Sequence, residues 1–128
     1  MITASVEAAI DGLRRAFPGV AMTVDHDGNG GAYVVMEQVD LGPTYLPATS
    51  WCGFHLSHQL PDGDVYPLYT GGEVARADGQ PHSNSAIQHM AWRDRPALQL
   101  SRRSNRRDLT TWTPALKVLH VLAWFREL

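Results

Sequence analysis

The sequence predicts an α+β domain: an antiparallel meander of about four strands flanked by an N-terminal and a C-terminal helix. Three observations lead there. Apolar side chains recur at helical spacing near the N-terminus, alternating runs divided by Gly- and Pro-rich turns fill the middle, and an apolar helix opened by Thr-Pro closes the chain. With 128 residues, one domain spanning 1–128 can build a core without disulfides or metals.

Val6, Ile10, Leu13 and Phe17 share one face of the first helix, which Thr3 or Ser5 can cap and Pro18-Gly19 ends. Val20 to Val24 alternates weakly, His26 to Gly31 is a turn, and Ala32 to Met36 is the returning strand of a hairpin. After the turn Leu41 to Thr44, residues Gly53 to Gln59 alternate with Phe54, Leu56 and His58 on one side. Val65 to Thr70 reads as a further strand, and Pro67 within it argues for an edge position or an irregular end. Gly71 to Ser85 reads as a long loop or flap. The last helix starts at Pro114, capped by Thr113, and presents Leu116, Val118, Leu119, Val121, Leu122, Trp124 and Phe125 on nearly every face. Such a helix is widely buried or offers one face to a partner.

A composition of 44% apolar and 19% charged residues excludes an unfolded polyelectrolyte, and no run of about eighteen apolar residues reads as a membrane span. Glu7 and Asp11 in the amphipathic N-terminal segment argue against a signal peptide. A single cysteine, Cys52, excludes an internal disulfide and suits a reducing cytoplasm. The net charge of −2 is unevenly distributed: residues 1–80 hold ten acidic and three basic side chains, residues 81–128 three acidic and eight basic. Arg93, Arg95, Arg102, Arg103, Arg106 and Arg107 form a run that suits an anionic partner or a solvated loop with local ion pairs.

The segment before the last helix, Gln99 to Arg107, holds Ser101 and Ser104 and no cysteine. The order of helix, meander, Tyr-Pro-bearing strand end, long loop and Trp112-Thr113-Pro114-Ala115-Leu116 resembles the ubiquitin-conjugating enzymes. In those proteins a nucleophile-bearing loop precedes a Trp-Ser-Pro-Ala-Leu helix start. PDGDVYPLYT and QLSRRS are similar to the divergent bacterial branch of that superfamily, and the resemblance spans about residues 20–125. It implies a cytoplasmic carrier in a bacterial ubiquitination-like pathway, with a part in antiphage defence. Its partners would be a ubiquitin-like protein and an adenylating, ATP-dependent activating enzyme. No cofactor, metal or membrane is implied.

The family's cysteine usually stands about eight residues before the tryptophan, where this chain has Ser104. Ser101 follows the apolar run Ala97 to Leu100, as the family's cysteine follows an apolar residue, and matches the bacterial Ser-Arg pattern. Either serine is a candidate. One reading is a serine oxyester in place of the thioester, which needs a base or strong pre-organisation because a hydroxyl is a weak nucleophile. The other is an inactive scaffold of the same fold.

His82-Ser83-Asn84 faintly resembles the family's His-Pro-Asn oxyanion element, so His82, Asn84 or His89 could supply a base or donor; exposed loop side chains are the plainer reading. Asn105, beside Ser104, and Asp108 could bond a glycine-rich tail, though both are routine loop formers. Arg102, Arg103, Arg106 and Arg107 are candidate docking residues, with Trp112 anchoring the loop and Trp92 the flap. Cys52 reads as a small buried side chain rather than a relocated nucleophile. His55 and His58 lie three apart on a strand and point to opposite faces, which disfavours zinc. A competing class is nucleic-acid binding through Arg93 to Arg107, with Trp92 or Trp112 stacking on bases, against which stand the acidic remainder and the lack of a groove-binding helix.

Overall fold

A computed structural model describes residues 1–104 and 107–128. Thr3 caps the first helix, α1 (Ala4–Ala16), its Oγ1 accepting from the Val6 amide at 3.2 Å. Val6, Ile10 and Leu13 are buried as their spacing requires. The strands follow as β1 (Met22–His26), β2 (Ala32–Asp40), β3 (Tyr45–Leu46), β4 (Thr49–Leu56), β5 (Leu68–Gly71), β6 (Ala75–Arg76), β7 (Ile87–Trp92) and β8 (Arg95–Leu100). The second helix, α2, runs Pro114–Arg126.

Six strands form one antiparallel sheet in the order β1-β2-β4-β5-β8-β7, and β3 pairs with β6 in a small second sheet. The α+β class holds, while the strand count exceeds the expected four. Opposed residues in an antiparallel ladder share a face. The pairs Val34 with Phe54, Met36 with Cys52, Cys52 with Thr70 and Thr70 with Leu98 therefore make one inward layer. Both helices pack on this layer, and Val118, Val121, Leu122 and Phe125 of α2 complete the core. Among the described residues, no helix is long and apolar enough to cross a membrane.

Three local expectations change. Pro67 precedes β5, at the irregular start of the strand, and the edge position fails because β5 sits inside the sheet between β4 and β8. Lacking an N–H, Pro67 cannot join a two-sided ladder, so the strand starts just after it. The stretch read as a flap contains β6, which pairs Arg76 with Tyr45. The β7–β8 hairpin was hidden because β7 is an edge strand of mostly exposed residues, and its turn uses Arg93 and Asp94 at φ 50° and 67° without glycine.

That hairpin folds its tip over the outer face of the sheet. Trp92 lies against Gly53, stacks on Tyr69 with centroids 4.8 Å apart, and neighbours Trp51. Arg93 reaches Asp25 of β1 at 3.1 Å and covers the Tyr33 ring. Trp92 thus anchors the hairpin tip.

Candidate functional site

The serine loop between β8 and α2 meets two other segments near the start of α2. Thr113 caps α2 by accepting from the Leu116 amide at 3.1 Å, and Pro114 occupies the first turn. One turn further in, Lys117 leaves the apolar pattern and turns its ammonium under the loop, where the side chain is 4% exposed. Its Nζ lies 2.7 Å from Ser104 Oγ, 2.6 Å from the Arg102 carbonyl oxygen and 3.2 Å from Asp64 Oδ2. The Ser104 amide donates to the same Asp64 oxygen at 2.7 Å. Asp64 thus ties down both the serine's backbone and the lysine's head.

Burial is the leading influence on Lys117 and lowers its pKa below the usual lysine value; Asp64 pulls the other way, and Arg102 and Arg107 add to the lowering. An ammonium here donates to its three acceptors. The neutral amine instead offers a lone pair to the Ser104 hydroxyl, so the lowered pKa moves this pair towards base chemistry.

Arg107 fastens the arrangement. Its guanidinium donates to the carbonyl oxygens of Pro61 and Gly63 at 3.0 and 3.1 Å and to that of Asp62, clamping the segment that carries Asp64 against the serine loop. It also lies over the Trp112 ring, 4.7 Å from its centre. Trp112 packs on the core, as expected for a loop anchor. Asp108 closes the loop with a turn, accepting from the Thr110 amide and hydroxyl, which hold its carboxyl below its usual pKa. Outside the Ser104–Lys117 pair opens a cleft of about 350 Å³, lined by Arg102, Arg103, His120 and Trp124 among others.

The other candidates lie elsewhere. Ser101 continues the β8 ladder through its backbone amide to the Ala86 oxygen, and its Oγ accepts from the Gln99 side-chain Nε2 at 2.8 Å. That neighbour is a neutral donor and cannot take a proton from the hydroxyl. His82 bonds the Val74 carbonyl at 2.9 Å and shares a different cavity with Asn84 and Tyr45. Tyr45 in turn bonds the Phe125 carbonyl, so this cavity meets α2 eight residues beyond Lys117, about 12 Å along the axis. Asn84 caps its own turn by accepting from the Ala86 amide. His89 lies exposed beside His82. His82, Asn84 and His89 therefore do not join the Ser104–Lys117 pair. Asn105 and Arg106 lie outside the described residues.

Cys52 is fully buried in the inward layer, and burial pushes its thiol up to about 12. His58 stands beyond the end of β4, while His55 pairs with Asp27 at 2.7 Å. Among the described residues, no three His, Cys, Asp or Glu side chains converge to hold a metal. The arginine run is divided: Arg93 and Arg95 sit at the hairpin tip over the outer sheet face, whereas Arg102, Arg103 and Arg107 border the cleft. Trp92 and Trp112 are separated in the same way, so the described residues of this run are split between two surfaces.

No family model, curated protein or solved structure matches this chain. The site must be read from its own geometry. Sequence reasoning missed Lys117 and Asp64. The signal for Lys117 was a lone cation one turn into an otherwise apolar helix, where a buried charge demands partners. Asp64, within Pro61-Asp62-Gly63-Asp64, looked like a turn former.

Proposed function

We propose that this chain is an acyl carrier of the ubiquitin-conjugating type, in which Ser104 takes the C-terminus of a ubiquitin-like protein as an oxyester. The observation that carries this reading is the 2.7 Å contact between Ser104 Oγ and the buried Nζ of Lys117. It supplies the base that a serine nucleophile needs, and it favours Ser104 over Ser101. In the acylation step Ser104 Oγ attacks the activated carbonyl, neutral Lys117 takes the hydroxyl proton, and the activating group leaves with its electron pair. The resulting ammonium sits beside the ester oxygen, where Asp64 balances its charge. Lys117 can return the proton when an acceptor amine displaces the serine. The carrier would be a bacterial, cytoplasmic transferase working with an adenylating enzyme.

The test mixes the protein with a cognate activating enzyme, the ubiquitin-like protein and ATP. An adduct that survives thiol, is cleaved by hydroxide and disappears in Ser104→Ala but not in Ser101→Ala supports the reading. Loss only in Ser101→Ala would move the nucleophile. Absence of any adduct, with the ubiquitin-like protein still bound, would leave an inactive scaffold.

A further inference from the structure

Resting on the reading of Ser104 as acyl acceptor, we propose that its donor is the acyl phosphate anhydride itself, an acyl adenylate, and that Arg102 and Arg103 hold the departing phosphate. On a chain of net charge −2, this cleft is lined by Arg102, Arg103, Arg107 and Lys117 against a single carboxylate, Asp108, which is engaged by the Thr110 amide and hydroxyl. Arg102 and Arg103 follow directly upstream of Ser104, and both line the cleft. Each guanidinium lies over an aromatic ring, Arg102 4.8 Å from the centre of Trp124 and Arg103 4.2 Å from that of Tyr66.

Stacking through the flat face fixes a guanidinium in space and leaves the in-plane N–H edges for another acceptor. Among the described residues neither side chain donates a hydrogen bond to the protein, in contrast to Arg107, whose donors are spent on three carbonyl oxygens. Two guanidiniums lining the cleft beside Ser104, each with donors not spent on the protein among the described residues, can offer a phosphate paired N–H groups. A thiolate leaving group would gain much less from them, being a single soft atom without paired acceptor oxygens.

The step balances without a further reactant. The bond from Ser104 Oγ to the acyl carbon forms, and the bond from that carbon to the phosphate oxygen breaks. The electron pair leaves with the nucleoside monophosphate, and the Oγ proton passes to neutral Lys117. The guanidinium pair stabilises charge where it grows, on the leaving oxygen, which is how fixed donors accelerate acyl transfer. The carrier would then be loaded without a preceding thioester on the activating enzyme.

The experiment offers the intact protein two small donors, acetyl adenylate and the acetyl thioester of N-acetylcysteamine, and follows Ser104 acetylation by mass spectrometry. Free AMP should compete with the adenylate. In Arg102→Ala/Arg103→Ala the ratio of adenylate to thioester rates should fall about tenfold or more, the scale of losing a charge-assisted hydrogen bond. Using the ratio cancels any change that the missing arginines impose on Lys117, since both donors use the same base. Arg102→Lys/Arg103→Lys, which keeps the charge and loses the fork, should lie between the two. An unchanged ratio, or indifference to AMP, would overturn the phosphate site while leaving Ser104 acylation in place. Acetylation of Ser104 by neither donor would overturn both.

Discussion

Replacing Lys117 with Met separates the chemical role of the lysine from its structural one. Methionine keeps the unbranched stem in its buried channel and removes the nitrogen. If Lys117 is the base for Ser104, adduct formation at neutral pH should drop by about 10²- to 10⁴-fold, the usual worth of a positioned general base. Stability should move much less. Removing one partner of a deeply buried ion pair costs about 3–5 kcal/mol because the other charge is stranded. Asp64 is not stranded here: its side chain is 18% exposed and keeps the Ser104 amide as a donor. Methionine also avoids the desolvation that depresses the lysine. The change in unfolding free energy should therefore stay below about 3 kcal/mol.

Two titrations accompany the substitution. The neutral amine is the reactive form, so the wild-type rate should rise with pH and level off once Lys117 has lost its proton. The apparent pKa should lie below the ordinary lysine value of 10.5. Stability follows the same linkage. The unfolded chain binds more protons than the folded one between the folded pKa and 10.5, so the Lys117 contribution to stability rises with pH across that window. Lys117→Met should remove that slope. Rates come from quenched time points resolved by intact mass, and stability from urea melts at each pH. A Lys117→Met protein that forms adduct within about threefold of wild type, a difference of well under 1 kcal/mol in the barrier, would refute the base assignment.

Cys52 should resist alkylation in the folded protein and react on unfolding, because burial holds its thiol near 12; rapid labelling of the native chain by iodoacetamide would contradict this. Asp27, held at about 2 chiefly by its bond to His55 and also by the Asn29 and Gly31 amides, should stabilise the fold fully above the ordinary carboxylate value of 3.8. That contribution is lost as pH falls through about 2, so Asp27→Asn should flatten the acid limb of a stability-against-pH curve; an unchanged limb would refute it. Gly53→Ala should destabilise by about 1–3 kcal/mol in urea melts, since its Cβ would lie 2.6 Å from Trp92 Cη2 and lift the hairpin tip, with a change in tryptophan emission. An unaltered midpoint would mean that the tip does not depend on this contact.

The parts legible in the sequence were those whose signal is local. The face of α1 and the Thr113-Pro114 start of α2 follow from spacing and capping within a few residues. The β7–β8 hairpin was not legible, because an edge strand needs no apolar alternation and its turn forgoes glycine. The site was half legible. Ser101, Ser104 and the flanking arginines could be singled out as a candidate loop, with the two serines left open, but the partners of Ser104 are Lys117 and Asp64, the latter 40 residues upstream of the serine. Their convergence depends on how the β4–β5 connection folds over α2, and no short pattern encodes it. His82 and Asn84 were attractive for the opposite reason: a three-residue pattern suggested chemistry, while the fold gives each a neighbouring backbone group to bond.

The placement of each part bears on whether this serine can react. Lys117, the proposed base, rides on a helix whose apolar face is locked into the core, so Nζ has little freedom once Val118, Val121 and Leu122 are packed. Ser104, the proposed nucleophile, rides on a loop, which by itself would wander. Asp64 holds its amide, and Arg107 holds the segment bearing Asp64 by bonding three consecutive carbonyl oxygens. Arg107→Ala should therefore act chiefly through position, with a smaller electrostatic effect on Lys117. It touches neither Oγ nor Nζ, yet releasing the 61–64 segment loosens the carboxylate that both share. Adduct formation should fall by about tenfold, and the pH profile should keep its single rise with the apparent pKa moved upward, because the Arg107 charge no longer helps to lower Lys117. A fall accompanied by a pKa shift back to 10.5 would instead mean that Lys117 had become solvated. No fall at all would show that the loop holds Ser104 without the clamp.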